Sequence, residues 1–350
     1  MNTHPTITID GTDGGGQLLR TALALSAVTE TPFRIENVRG ARPDPGLKPQ
    51  HCTAVELVAE LCDADVDGAE IGSDSLTVRP GSARRTPLQV GVGTAGSVTL
   101  LFDTVLPIAA TYDDPFSLTA TGGTNVKWSP TVEYHELVKA PLLQNWGLKT
   151  TVDCAKTGFY PAGGGEATIE TTPSALSSFD LDARGTLDTV EIYSKASEEL
   201  SEAEVADRQA DRAREALQEA GLPAERRRVE YVSTLSTGSS LLLRGVYEHS
   251  VVGFDALGER GRTSEAVADS AVQQFTAFHA NDAPVDVYMA DQLMTVLALA
   301  GGRVRIPSVS EHVRTNLEVV TAFGSDMTLG RTTDGEPVLE ASPLSAVHSS

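Results

Sequence analysis

Residues 16–38 read G-Q-L-L-R-T-A-L-A-L-S-A-V-T-E-T-P-F-R-I-E-N-V, and this stretch decides the fold. Its first half is apolar enough to predict a helix that begins after Gly16. The segment from Phe33 to Val38 predicts a short strand. A loop of Arg, Gly and Pro follows, and then a second predicted helix over residues 50–62. The stretch therefore predicts a unit of helix, strand, loop and helix.

The same order of elements returns twice more along the chain, which indicates an internal repeat. The second copy contains a helix, a strand, a glycine loop and another helix at Gly96 with 98–108, 116–120, Gly122 with Gly123, and 130–146. The third copy begins at Asp291 and contains a helix, a strand and a helix at 293–300, 304–307 and 311–323. Strand-like segments at 69–78 and 167–171 extend the unit to an approximate βαβαββ order.

The second and third copies are separated by roughly 100 residues more than the first and second copies are. This excess predicts an inserted domain with a helix at 202–220 and strands at 187–193, 229–234 and 240–246. The fold class is therefore α/β (α+β), with three βαβαββ repeats in a large domain and a smaller α/β insert. We expect 1–183 and 281–342 to form the large domain, 184–280 the insert, and 1–5 and 343–350 flexible tails.

The composition is that of a globular protein with a strongly acidic balance. The 350 residues include 48 acidic and 27 basic side chains, only six of them Lys, and the net charge is -21. This pattern is typical of proteins from a salt-rich cell interior, where a Debye length of about 3 Å leaves only close contacts effective. No apolar run approaches the roughly 18 residues of a membrane span and no signal peptide is evident, so we expect a cytoplasmic protein without membrane association. Three cysteines without metal-type spacing indicate neither a disulfide framework nor a zinc site.

Two basic segments are candidates for phosphate binding. Residues 13–20, D-G-G-G-Q-L-L-R, combine a glycine turn with a helix start, whose free amide groups favour anions. Residues 38–51 place Arg39 and Arg42 in a loop stiffened by prolines, and the planar guanidinium suits phosphate oxygens. The alternatives are a simple tight turn with a solvated Arg20, and arginines that only pair with surface carboxylates.

Two further segments carry possible chemistry. Residues 158–166, G-F-Y-P-A-G-G-G-E, either line a site with backbone or form a sharp turn between strands. Residues 308–316, S-V-S-E-H-V-R-T-N, place His312 at a helix start beside Ser310, a good N-cap. A neutral imidazole there could attack phosphorus, and we expect the helix-start amides and Arg314 to oppose its protonation. For an arbitrary histidine a structural role is the alternative.

These segments, in this order, resemble the RNA 3′-terminal phosphate cyclase family over almost the whole chain. The resemblance rests on Asp13 to Arg20, Arg39 to His51, Gly93 to Ser97, Gly122 to Asn125, Gly158 to Gly165, Ala290 to Leu293, and His312 with Thr315 and Asn316. The segment F-D-A-L-G-E-R-G at 254–261 also matches. The resemblance implies the same fold of three repeats with an insert.

The resemblance also implies an ATP-dependent ligase reaction on RNA with a 3′-phosphate end. His312 would attack the α-phosphate of ATP, the AMP would pass to the RNA 3′-phosphate, and the 2′-hydroxyl would close a 2′,3′-cyclic phosphate. A divalent ion, Mg²⁺ or Mn²⁺, would assist on Asp13. The implied ATP-binding residues are Tyr288, Met289, Ala290, Asp291, Gln292, Asp103, Pro130, Arg20, Arg39, Arg42 and Gln50. No obligatory protein partner is indicated.

Two positions depart from the family pattern, and two other functions are alternatives. Asp13 stands where the family usually has glutamate, and Asp103 where many members place glutamine. One alternative is a non-catalytic relative that acts in RNA processing or ribosome assembly, but such relatives lack the nucleophilic histidine that His312 supplies. A carboxyvinyl-transfer enzyme of related architecture would need a different set of basic residues.

Overall fold

The computed structural model describes residues 6–93 and 95–344, and its first repeat is a βαβαββ unit. The elements are β1 (Ile7–Asp10), α1 (Gly16–Thr29), β2 (Phe33–Glu36), α2 (Pro49–Cys62), β3 (Asp65–Asp67) and β4 (Leu76–Arg79). The strands form a sheet in the order β1-β2-β4-β3, in which β1 and β2 are parallel and the other pairs antiparallel. Pro49 at the first position of α2 suits a helix start, because its missing N–H would have no partner there.

The second repeat has the same topology. Its elements are β5 (Leu88–Gly91), α3 (Val98–Ala109), β6 (Phe116–Gly122), α4 (Val132–Tyr134), a π-helical turn (His135–Lys139), α5 (Ala140–Leu143), a 3₁₀ turn (Gln144–Trp146), β7 (Thr150–Lys156) and β8 (Gly165–Thr171). The sheet order β5-β6-β8-β7 matches that of the first repeat. The helix expected over 130–146 is therefore interrupted by a π turn.

The third repeat begins with β9 (Phe179–Leu181), and the inserted segment follows that strand. The insert contains β10 (Leu187–Ser197), a 3₁₀ turn (Glu198–Leu200), α6 (Val205–Glu219), β11 (Ala224–Val232), β12 (Ser239–Tyr247), β13 (Val251–Leu257) and α7 (Ser264–His279). Its sheet runs β11-β10-β12-β13. Apolar residues of these strands and of α6 and α7 form a hydrophobic cluster separate from the main one.

The third repeat is completed by α8 (Met289–Gln292), α9 (Met294–Ala300), β14 (Gly302–Arg305), α10 (Glu311–Ala322), β15 (Thr328–Arg331) and β16 (Pro337–Ala341). Its sheet order, β9-β14-β16-β15, again follows the first two repeats, with the first pair parallel. The predicted α/β (α+β) fold with three βαβαββ repeats is confirmed. The boundaries chosen for the inserted domain stay a prediction.

Helix α1 lies at the centre of the main core. Eleven of its fourteen residues are buried, and it packs against α3 of the second repeat and α10 of the third. A helix that is apolar almost all round requires neighbours on every side, and the other two repeats supply them. Because α1 carries Arg20 in its first turns, this packing brings the glycine-rich segment to the junction of the three repeats.

Several local predictions differ from the structure. The strand expected over 69–78 is wrong: residues 68–75 form turns at Gly68 and Gly72, both with positive φ, and only β4 remains as strand. Leu344 belongs to the segment that we expect to be a flexible tail, but its amide donates to the Ala298 carbonyl over 2.8 Å. The remaining tail residues, 1–5 and 345–350, lie outside the described residues. Within residues 6–93 and 95–344, no helix is both long and apolar enough to cross a bilayer.

Candidate active site

His312 lies in the first turn of α10, where the sequence predicts it. Ser310 is the N-cap, and its hydroxyl accepts a hydrogen bond from the Val313 amide over 3.2 Å. The imidazole is about half exposed, at 55% of its side-chain surface, and its Nδ1 atom lies 3.5 Å from a carboxylate oxygen of Asp291. Asp291 itself is buried, at 9% side-chain exposure. A proton on Nδ1 that faces Asp291 leaves the Nε2 lone pair free.

The expectation that neighbouring groups keep His312 unprotonated is wrong in its direction. The hydrogen bond to Asp291 raises the pKa of His312 above its ordinary value, while burial and Arg20 act in the opposite sense. Glu311 adds to the rise. Arg314 and the helix-start amides are visible in the local sequence, whereas folding brings the Asp291 carboxylate from α8. Asp291 therefore orients the imidazole and at the same time raises its pKa.

The glycine-rich segment forms a close contact between the start of α1 and the second basic segment. The extra carbon of an alanine at Gly16 would lie 2.6 Å from His51 Nε2 and 3.0 Å from an Arg20 nitrogen. Gly15, the N-cap of α1, provides no side-chain cap, so the helix-start amides are not satisfied by a capping side chain. Arginine and free amides at one helix start suit an anion.

His51 stays neutral beside this site. Its Nδ1 atom accepts a hydrogen bond from the Lys48 amide over 3.0 Å, which places the ring proton on Nε2. Burial, followed by the charges of Arg20, Arg39 and Lys48, lowers the pKa of His51 to about 4. These charges act together on one ring because folding concentrates them around the start of α1.

In the loop that the sequence predicts to bind phosphate, the Arg39 side chain already bonds to carbonyl oxygens of the same loop. Arg39 donates to the carbonyl oxygens of Asp44 and Gly46, over 2.9 and 3.3 Å, and its backbone φ is 55°. Arg42 is exposed. Gln50 lies over the start of α3, where its amide donates to the Ser97 carbonyl over 3.2 Å. To bind a ligand, Arg39 would therefore have to replace its hydrogen bonds to loop carbonyls with hydrogen bonds to ligand oxygens.

Asp103 lies on α3 in an ion pair, close to the same site. Lys139 lies 2.5 Å and His135 Nε2 3.0 Å from one Asp103 oxygen. Burial opposes ionisation of Asp103, but Lys139 and His135 outweigh it and hold the pKa of the carboxyl well below its usual range. The Lys139 ammonium also donates to Gln292 over 3.0 Å. Asp103 is thus engaged with the Lys139 ammonium and the His135 ring.

The residues expected around adenosine differ in accessibility. Tyr288 is 45% exposed and lines a cavity of about 360 Å³, whereas Met289 and Ala290 are buried with α8. Pro130 directly follows Ser129, which lines that cavity, and the Pro130 carbonyl accepts from the Thr99 hydroxyl over 2.8 Å. Met289 and Ala290 follow Tyr288 in the chain, but they are buried and do not line this cavity.

The segment 158–166 connects the antiparallel strands β7 and β8, as expected for a turn between strands. Its Gly158 amide and carbonyl bond to Thr124, which packs the loop against the G-G-T-N segment. The Ala162 amide donates to the Ser236 hydroxyl of the insert over 2.9 Å, and among the described residues no hydrogen bond joins this loop to His312. The two glycine-rich loops thus support different regions of the fold.

Asp13 is exposed at the glycine turn that precedes α1. In the part of the chain that the structure describes, no group of three or more acidic, His or Cys side chains could hold a metal ion. Mg²⁺ is usually bound by one or two carboxylates together with water and substrate phosphates. A single carboxylate beside a phosphate site fits such an ion.

Three contributors to this region were not predicted: Lys139, His135 and the orienting role of Asp291. They come from different elements, and only folding brings them together. One signal was available for Lys139, because it is one of only six lysines and lies in an apolar helical segment. A charged residue in that setting is rarely fully buried unless it is paired.

A histidine oriented by a carboxylate, close to arginines and an open helix start, is the arrangement of an enzyme that transfers phosphoryl or nucleotidyl groups. The family follows from comparison with known proteins. The sequence model of RNA 3′-terminal phosphate cyclase matches residues 12–328. The chain therefore belongs to the RNA 3′-terminal phosphate cyclase family, and the predicted family and enzyme class are confirmed.

Curated relatives named RNA 3′-terminal phosphate cyclase cover nearly the full chain. The protein from Halobacterium salinarum is 42% identical over 344 residues, 95% of this chain and 99% of the relative. Proteins from Saccharolobus islandicus and Pyrobaculum aerophilum are each 38% identical, over 91% of this chain and 94% and 92% of theirs. The comparison with solved structures matches an enolpyruvyl transferase, NikO from Streptomyces tendae, over 47% of this chain and 33% of the transferase. The sequence identity is 16% and the TM-score 0.27, values too low to indicate a shared function.

Proposed function

We propose that the protein converts an RNA 3′-phosphate to a 2′,3′-cyclic phosphate in an ATP-dependent reaction through a covalent histidine-AMP. The observation that carries this proposal is the 3.5 Å approach of His312 Nδ1 to Asp291 at a helix start. This pairing turns Nε2 outward as the nucleophile. The relatives carry the name of the overall activity, and the geometry supports the chemical route.

In the first step His312 Nε2 attacks the α-phosphorus of ATP. A nitrogen–phosphorus bond forms, the bond from the α-phosphorus to the bridging oxygen breaks, and diphosphate leaves with the electron pair. The Nδ1 proton stays between the ring and Asp291, whose charge stabilises the imidazolium character that develops. Asp291 therefore both orients the ring and offsets its positive charge.

Charge on the phosphates is neutralised by groups at the start of α1. Burial lowers the pKa of Arg20, and the charges of Asp103 and Asp291 oppose that effect. Arg39, Arg42 and Gln50 come from the adjacent loop and helix start, and they would contact the outer phosphates. Asp13 would hold a Mg²⁺ or Mn²⁺ ion, which supplies Lewis-acid stabilisation when bound.

In the second step an oxygen of the RNA 3′-phosphate attacks the phosphorus of the histidine-AMP, and His312 leaves as the free imidazole. In the third step the neighbouring 2′-hydroxyl attacks the RNA 3′-phosphorus, a proton is lost, and AMP departs. The imidazole leaves as a neutral group, whereas AMP leaves as an anion; the proton of the 2′-hydroxyl would pass to solvent, and Arg20 would stabilise the negative charge that develops on AMP. The adenosine would occupy the cavity at Tyr288, close to Pro130, Met289 and Ala290, and Gln292 would face the phosphates.

Labelling with α-³²P ATP and Mg²⁺ in high salt tests this proposal. We expect acid-labile label on the native protein and none on His312→Ala, with His249→Ala as a matched control because His249 is exposed on the insert. Addition of RNA with a 3′-phosphate should discharge the label and give a cyclic end. Folded native protein that takes up no label would contradict the proposed route and favour the non-catalytic alternative.

The sequence predictions on organisation are part of the same proposal. We propose that the insert spans 184–280 and that catalysis resides in the large domain. The cytoplasmic location, the salt-rich interior and the absence of an obligatory protein partner stay predictions.

A further inference from the structure

The Lys139 side chain is buried between two repeats. Only 4% of its side-chain surface is exposed, and its ammonium bridges Asp103 on α3 and Gln292 on α8 over 2.5 and 3.0 Å. Burial of a lysine costs free energy unless its charge is paired, and Asp103 provides that pairing. The contact to Gln292 is additional and joins the second repeat to the third.

The identity of the Gln292 atom at this contact follows from hydrogen-bond chemistry. An ammonium group has donors only, so the Gln292 atom that faces Lys139 must be the carbonyl oxygen. The amide orientation is therefore determined, and both Gln292 N–H groups remain for another acceptor. Within residues 6–93 and 95–344, no atom accepts a hydrogen bond from these N–H groups.

The position of Lys139 is itself stabilised. It ends the π-helical turn His135–Lys139, which brings both of these residues to the same oxygen of Asp103. Single π turns are rare and often occur at functional sites. Since His135 is fully buried and burial lowers its pKa, Lys139 supplies the positive charge of the group.

We propose that Lys139 is a positioning residue for ATP: it holds the Gln292 amide with both N–H groups directed at a phosphate oxygen of the bound nucleotide. This inference rests on the proposed function. Arg20 lies within electrostatic range of both Asp103, the partner of Lys139, and Asp291, the partner of His312, so the Lys139 group lies in the same region as the nucleophile. Asp103 is not a ligand contact in this arrangement, because it is the counter-ion that keeps Lys139 buried and charged.

Nucleotide binding separates this role from a structural one. Affinities for ATP and adenosine are measured by calorimetry in a His312→Ala background, so that ATP is not consumed. Lys139→Met would leave the buried Asp103 without its cation, so the double change Asp103→Asn with Lys139→Met is tested beside it. Lys149→Met, at an exposed lysine, is the matched control.

We expect the Lys139 variants to bind ATP roughly tenfold more weakly, the range of a hydrogen bond to a charged group, and adenosine unchanged. In a Gln292→Leu background the loss caused by Lys139→Met should disappear, because the two residues act as one unit. Lys139→Arg should restore part of the affinity. At saturating ATP the rate of labelling in the native His312 background should change less than the KM.

Parallel losses for ATP and adenosine, or additive effects of Lys139→Met and Gln292→Leu, would overturn the positioning role. If the native site labels with ATP but the Lys139 variants bind ATP normally, this inference fails and the proposed function stands. If His312→Ala protein binds neither nucleotide and the native protein takes up no label, the proposed function fails and the positioning role fails with it.

Discussion

The Thr21 hydroxyl donates a hydrogen bond to the side-chain oxygen of Asn316 over 2.9 Å, and both residues are buried. Thr21 follows Arg20 on α1, and Asn316 lies one turn after His312 on α10. The Asn316 amide also donates to the Asp291 carbonyl over 3.4 Å. A single side chain therefore links α1, α10 and the segment that carries Asp291.

Replacement of Asn316 by alanine should destabilise the protein. The change leaves the Thr21 hydroxyl and the Asp291 carbonyl without this partner in the interior, which costs about 1–3 kcal/mol for a buried polar group. Urea unfolding measures the loss. Thr321→Ala is the matched control, because the Thr321 hydroxyl is exposed and bonds only to carbonyls of α10. Equal losses for the two variants would contradict a special role of the Thr21 contact.

The pH dependence of labelling by ATP should report the pairing of His312 with Asp291. Since Asp291 raises the pKa of His312, the neutral nucleophile forms only as pH rises through that raised value. Asp291→Asn should move the rising limb of the rate profile to lower pH and also lower its plateau, because the ring loses its orientation. The rate of self-labelling between pH 5 and 9 measures both effects. A limb that does not move would show that Asp291 leaves the His312 pKa unaffected.

Because the pKa of His51 is low, its protonation should affect the stability of the fold at acidic pH and should not affect catalysis above neutral pH. Its pKa in the folded protein is about 4, below that of an unfolded histidine, so the unfolded chain binds the extra proton as pH falls from about 6.5 to 4. The native state should lose up to about 3 kcal/mol over this range from His51 alone. His51→Gln keeps an acceptor for the Lys48 amide and should flatten this part of the stability curve in urea titrations. An unchanged slope would contradict the depressed pKa.

Local sequence signals were sufficient where one segment contains the whole structural cause. Ser310 predicts the start of α10, and the apolar spacing after Gly16 predicts α1, because capping and helix periodicity act within a few residues. The protonation of His312 could not be predicted in this way. Its main determinant, Asp291, lies on another helix, and electrostatic effects depend on distances that only folding sets.

The group around Lys139 was hidden for the same reason. Asp103, Lys139 and Gln292 come from α3, a π turn and α8, and no spacing in the sequence relates them. The departure from the family pattern at Asp103 was visible, but its partner was not. A buried carboxylate requires a cation, and Lys139 is one of only six lysines in the chain that could supply it.

Stability should increase with salt, because repulsion within a chain of net charge -21 exceeds the loss of its surface ion pairs. Exposed pairs such as Arg79 with Asp65 and Asp67 contribute at most about 1 kcal/mol each and weaken when salt screens them. Thermal unfolding in dilute buffer and in molar KCl measures the balance, with a rise of about 2–4 °C for each kcal/mol gained. Sucrose of equal osmolality controls for solvent exclusion, which also stabilises folded proteins. The same melting temperature in dilute buffer and molar KCl would show that the acidic surface is not repulsive enough to matter, and a fall would show that the ion pairs dominate.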